Sequence, residues 1–476
     1  LDFSLTSERR LGTRVVAGGD RLGNVTEAAQ AGWEGLRKIR AEKGAAPYDQ
    51  VVKGAQFILD TEKSYSSEWI SNKGDYYFYD GVASKVYPVN PKHTGFRAML
   101  GSRYGAFHTE PFTRHIVALL ESYASCNATP RQIRRFSYFH QNVLYINGYD
   151  GTCWRLNGPS VTQVPNGQGA LFLEEGGEAC PSIVVGNHGL LFKTLADDLQ
   201  WARETDSGMG PEIQRAAFMA WVFAVGFHDR LPSKPILLVE GVERSGKSFS
   251  IKRVQHVLIG RRRSMSIGEN GQRDFPISLL HASPIALLDN QDTPIPWLKD
   301  EIATYTTEGG WPKRKLYTTS EEEYILPEAF LAVSSRDPKT FRRPHIAERC
   351  ILVRLEQRPK TSAEYMMWIL LDENRGKLLG EWLWYCNRIV KLLQEPLPQD
   401  FGYRLADMAQ FIFAAMRSFL PQEEADKMTR AVLLAAQRER DALVSEEEPL
   451  VDVFKGWVTE GNLSRRVSMT ELWQEL

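Results

Sequence analysis

Eight residues constrain this chain more than any others: Gly241-Val242-Glu243-Arg244-Ser245-Gly246-Lys247-Ser248, which fit the pattern G-x-x-x-x-G-K-[ST]. Its glycines let the backbone curl so that successive N–H groups converge on one point. Lys234-Pro235-Ile236-Leu237-Leu238-Val239-Glu240 leads in as an apolar strand, and Phe249-Ser250-Ile251-Lys252-Arg253-Val254 opens a helix. A strand, loop and helix in this order aim backbone donors and the positive end of a helix dipole at a phosphate. Lys247 is placed for the outer phosphates of a nucleotide and Ser248 for Mg2+. The expected ligands are therefore ATP and Mg2+, held by Gly241, Val242, Glu243, Arg244, Ser245, Gly246, Lys247, Ser248 and Phe249. Arg244 stands where such loops often carry glycine.

A phosphate loop needs an acid at the end of a neighbouring strand, to hold the metal through water. Asp289 ends the apolar run Pro284-Ile285-Ala286-Leu287-Leu288 and is the expected second metal ligand beside Ser248. A turn cap after a core strand is the other reading of Asp289. Many motor ATPases follow this Asp with a water-polarising Glu; here Asn290 follows, and Asp292 is the nearest other acid. A third run, Phe330-Leu331-Ala332-Val333, ends in Ser334 and Ser335, and Ser335 is the candidate contact to the terminal phosphate or the attacking water. Continuous apolar strands between helices imply a parallel sheet covered on both faces.

Two basic features complete the candidate site. Arg349, after Phe341-Arg342-Arg343-Pro344-His345-Ile346-Ala347-Glu348, is placed to reach a neighbouring subunit's nucleotide as an arginine finger. A surface pair with Glu348 is the plainer alternative. Thr307-Glu308-Gly309-Gly310-Trp311-Pro312-Lys313-Arg314-Lys315-Leu316-Tyr317-Thr318 reads as a hairpin presenting Lys313, Arg314 and Lys315 to a phosphate backbone, or as a solvated basic loop.

The rest of the chain narrows the function class. Formal net charge is −1, so any polyanion must be met by local patches. Five scattered cysteines show no metal-ligand spacing and fit free thiols in a reducing cytoplasm. The apolar stretch Met219 to Phe227 is far short of the roughly 20 residues of a membrane span. The chain opens without Met and stops within an apparent helix, so it reads as a piece of a longer protein. Residues 1–45 read as a polar arm, 46–205 as an α+β accessory domain with Ala170-Leu171-Phe172-Leu173 among its strands, 206–360 as the P-loop domain, 361–445 as a helical domain broken near Leu371–Leu378, and 446–476 as the start of a small C-terminal domain, with a winged helix as one reading of it.

Residues 230–360 resemble the ATPase domain of phage- and mobile-element-type primase-helicases, relatives of superfamily-three helicases with an AAA+-like core. The matching pieces are Gly241 to Ser248, Arg273-Asp274-Phe275, Leu288-Asp289-Asn290, the Thr307 to Thr318 segment, and Ser334 to Arg349. The Asp-Asn pair itself looks like a variant of that group, while Ser335 stands where Asn is usual. The resemblance implies an α/β, AAA+-like P-loop core and a hexameric ring with ATP between subunits. It also implies single-stranded DNA in the channel and a primase or replication partner. No primase active-site pattern is visible before residue 230. A non-translocating P-loop switch in regulation or defence is the alternative.

Overall fold

The computed structural model describes residues 21–445 except 43, 45, 90–92, 108–109, 204–208, 266, 269, 273, 307–310, 315–321, 326–327, 342, 359–363, 399–400 and 404–405. The chain divides into two units, residues 1–185 with 314–323 and residues 186–313 with 324–476.

The first unit opens with helices α1 (Arg21–Arg40) and α2 (Pro47–Ser64). Strands β1 (Glu68–Asn72), β2 (Asp75–Asp80) and β3 (Lys85–Pro88), helices α3 (Thr94–Tyr104) and α4 (Pro111–Asn127), and the short β4 (Thr129–Pro130) follow. The sheet order is β3-β2-β1-β4, with β4 parallel to β1 and the other pairs antiparallel. Apolar residues of the helices (Leu36, Ile58, Leu100, Ile116, Leu120) share one core with Phe78 of the sheet. A second, antiparallel sheet runs in sequence order through β5 (Ser137–His140), β6 (Val143–Asn147), β7 (Thr152–Leu156) and β8 (Val161–Pro165).

Ala170–Leu173, expected as a strand, is instead an extended segment joined to Arg134 by a single bridge at Phe172. The Asn166 side chain takes the place of a strand partner. Its amide donates to the Phe172 carbonyl and its oxygen accepts from the Phe172 N–H, both at 2.8 Å.

The second unit contains the motif. Helix α5 (Pro211–Ala224) is buried along most of its length, and β9 (Ile236–Gly241) carries the chain into the glycine loop and α6 (Lys247–Ile259). Then come α7 (Phe275–His281), β10 (Ile285–Leu288), α8 (Leu298–Thr306), the paired β11 (Trp311–Arg314) and β12 (Glu322–Ile325), β13 (Phe330–Ser335), α9 (Pro344–Ala347) and β14 (Cys350–Leu355). Strands β10, β13, β9 and β14 lie in that order and are all parallel. Every residue of β10 and β13 is buried, which explains why those runs are apolar without alternation.

Helices α10 (Glu364–Leu392), α11 (Ala406–Arg417) and α12 (Gln422–Ser445) complete the described part. The break expected near Leu371–Leu378 is absent, and α10 runs through it as one helix. Its polar stretch is tied down from within: buried Arg375 donates from Nε to the His256 carbonyl at 3.0 Å. No described helix is long and apolar enough to cross a membrane. The expected small domain at 446–476 lies outside the described residues.

Candidate functional site

The loop is built by two close constraints. Parallel pairing sets Leu355 of β14 beside Gly241. A Cβ on Gly241 would stand 2.5 Å from the Leu355 carbonyl oxygen, so only glycine fits. At the other end Gly246 adopts φ 88° and caps α6 without any side-chain capping bond, which leaves the helix's first N–H groups for an anion. Between them Val242, Glu243 and Arg244 are exposed and Ser245 is buried. Lys247 folds over the loop, its Nζ donating to the carbonyls of Gly241 at 2.5 Å and Val242 at 3.0 Å. Burial lowers the pKa of that ammonium from its ordinary value.

Arg244 lies in the left-handed region at φ 62°, which costs a non-glycine residue about 1 kcal/mol. Arg244→Gly should therefore raise the unfolding midpoint of the second unit by about 1–3 °C in calorimetry. An unchanged or lower midpoint would show that the strain is relieved elsewhere.

Asp289 stands just past the end of β10. It accepts hydrogen bonds from Ser248 Oγ and, at 2.7 Å, from Ser334 Oγ, while Lys252 Nζ sits 3.2 Å from its other oxygen. Burial pushes this carboxyl up, but the bonds from Ser248 and Ser334 and the Lys252 charge outweigh it and hold the pKa below the usual range. Ser334 and Ser335 point to opposite sides of β13. Ser334 joins the Ser248–Asp289 pair and also receives the Asn290 N–H at 3.0 Å. Ser335 donates instead to the Gln291 carbonyl at 2.9 Å and to Asp292 Oδ1 at 2.8 Å.

Asn290 has φ 56°. Asn tolerates that conformation much better than Glu, which gives a physical reason for Asn after the acid. Asp292 Oδ1 also accepts the Arg336 N–H at 2.6 Å. Its slight burial raises the carboxyl pKa, but the bonds from Arg336 and Ser335 bring it below the usual range.

Arg349 is not at this end of the sheet. It precedes β14, and its carbonyl accepts the N–H of Ile236, the first residue of β9. Six-residue β9 separates that point from the loop by about 17 Å of strand. Lys313 and Arg314 lie on β11, whose partner is β12; Lys315 and the Thr307–Gly310 and Leu316–Thr318 parts of the expected hairpin, like Arg273, lie outside the described residues. Phe249, on the first turn of α6, packs its ring against Trp368 at 4.7 Å between centroids.

The structure also brings in residues that sequence reasoning passed over. Arg358 follows β14, and a Cβ on Gly246 would lie 3.4 Å from its Nε. Its Nη2 donates to the Asp198 carbonyl at 2.9 Å and approaches the Asp198 carboxylate at 3.2 Å. The same carboxylate meets Arg253 of α6 at 2.8 Å. The available signal was the apolar run Cys350-Ile351-Leu352-Val353, a fourth strand whose far end must lie beside the loop.

These residues fit a nucleotide and a hard cation. The buried hydroxyl of Ser245 and the buried Nε of Arg358 have no hydrogen-bond partner, and both flank the loop. Ser248 and Asp289 place two oxygen donors together, the ligand type Mg2+ takes.

No family model matches the chain, and no curated protein does. Among solved structures it is similar to the apo C-terminal region (305–718) of NrS-1, at 8% identity over 80% of this chain and 74% of that one, with a TM-score of 0.39. It is also similar to a JCV helicase bound to a small molecule, at 12% identity over 47% of this chain and 66% of that one, with a TM-score of 0.22. Scores this low leave the functional reading to the chain's own residues.

Proposed function

We propose that the chain is an ATP-driven nucleic-acid motor, a ring-forming DNA helicase or translocase of a phage, plasmid or integrated element. The observation that carries the ATPase part is the contact of Ser248 with Asp289 at the mouth of a glycine loop ending in Lys247. In this reading Gly241 to Phe249 cradle the phosphates, and Lys247 leaves its loop carbonyls to neutralise the outer ones. Ser248 and Asp289 hold Mg2+, which when bound offsets the charge developing on the transferred phosphoryl group. Ser334 orients Asp289. Phosphoryl transfer asks mainly for positioning and charge, so a strong base is not required. Asp292, engaged by Ser335 and Arg336, orients that pair, and Asn290 positions water through its amide.

The strand order supports the AAA+-like reading, because β13 is inserted between the loop strand β9 and the acid-bearing β10. The position of Arg349 supports assembly: with about 17 Å of strand between it and its own loop, it acts on nucleotide only in a second copy. A hexamer, cations of Lys313, Arg314 and Lys315 on single-stranded DNA, and a primase or replication partner complete the proposal.

ATP turnover should rise several-fold on adding single-stranded DNA, with nucleotide-dependent assembly seen by mass measurement. If ATP drives assembly but DNA changes neither turnover nor strand displacement, the motor reading fails and the switch reading replaces it.

A further inference from the structure

Arg253 and Arg358 share one carboxylate. Asp198 contacts Arg253 Nη1 at 2.8 Å and Arg358 Nη2 at 3.2 Å. Two guanidinium groups against one acid leave a surplus positive charge. Both arginines keep buried nitrogens without a partner: Nε and Nη2 of Arg253, and Nε of Arg358. Buried donors of this kind are costly unless something accepts from them. Arg253 is almost fully enclosed, with its ring neighbour Phe249 at 5.2 Å. Arg358 is the partner at the surface of the loop, beside Gly246.

The side of the loop on which it lies matters. Strand β9 has β13 on one flank and β14 on the other. The β13 flank carries Ser334 and leads on to Asp289, the metal side. Arg358 comes off the β14 flank, away from the metal oxygens, and borders the start of α6 where the inner phosphates of a bound nucleotide would be received.

We propose that Arg358 is a nucleotide-binding residue, which moves from Asp198 to donate to the diphosphate that ATP and ADP have in common. The inference rests on the nucleotide-site reading above and deepens it. Asp198 holds the guanidinium in store, and Arg253 keeps Asp198 paired when Arg358 leaves. Because the contact is made to substrate and product alike, it governs binding rather than the chemical step.

The test is equilibrium binding of ADP, ATP and adenosine to the full chain, alongside steady-state ATPase. Arg358→Ala should weaken ADP and ATP by about 10- to 100-fold and leave adenosine unchanged. KM should rise by a similar factor with kcat nearly constant. Arg358→Lys, a point charge without the planar fork, should fall between the two. Arg358→Gln serves if the alanine variant unfolds. Unchanged ADP affinity in a variant whose parent binds ADP would overturn the proposal, as would an equal loss for adenosine. If the unaltered chain binds neither ADP nor ATP, the nucleotide-site reading itself fails.

Discussion

Lys247→Ala should lower kcat/KM for ATP by at least about 100-fold, the scale for removing one preorganised charged donor from a developing anion. The fold should survive, because Lys247 Nζ donates to the carbonyls of Gly241 and Val242 in its own loop. Removing a cation whose charged state is disfavoured by burial takes away a desolvation cost as well as two hydrogen bonds. The unfolding midpoint should therefore move by only a few degrees. Turnover that survives the substitution would mean the glycine loop is not the hydrolytic site. Loss of turnover together with collapse of the second unit would show that Lys247 is structural. Arg358→Ala supplies the contrast: there KM moves, whereas here both kcat and kcat/KM fall.

Much of the glycine-loop end of the sheet was legible because it depends on local backbone chemistry. The glycine loop is a short-range pattern, and β9, β10 and β13 are apolar at consecutive positions because both faces are covered. Strand β14 has the same character but was passed over. It follows a basic block and contains Arg354, a charge that would ordinarily argue against a buried strand. That charge is met by Glu240 at 3.1 Å and by buried Glu439 of α12, partners distant in sequence. Missing β14 meant missing Arg358, since only the pairing of Leu355 with Gly241 brings the chain after it to the loop.

Ser334 and Ser335 illustrate a different limit. Adjacent strand residues face opposite sides, and choosing between them requires the register with β9 and β10. Sequence reasoning named Ser335, while Ser334 is the serine at Asp289. The Asn290 position is legible only after folding, through its left-handed backbone. Arg349 had the reverse problem: its block was visible, but its distance from the loop depends on the direction of β14.

In the first unit the largest loss of stability should come from Arg103. Its guanidinium is 4% exposed and bridges Glu62 at 2.8 Å and Asp80 at 2.6 Å. The remaining acceptors are also used. Tyr104 and Ser67 donate to Glu62 at 2.7 Å each, and the N–H groups of Val82 and Ala83 donate to Asp80. Burial opposes the Arg103 charge, but its bond to Asp80 and the Glu62 charge win and raise its pKa above the ordinary value. The cluster joins the end of α2, the end of β2 and α3 at one point. Arg103→Met would leave two buried carboxylates without their cation, which costs about 3–5 kcal/mol. For a unit of this size the expected fall is about 10 °C or more in that unit's own calorimetric transition. Combining Arg103→Met with Glu62→Gln and Asp80→Asn should recover part of the loss, because the charges that made the single change costly are gone. A single variant that melts with the parent would show that water reaches the carboxylates. A triple variant worse than the single would show that the polar geometry, rather than the charge balance, fixes the three elements.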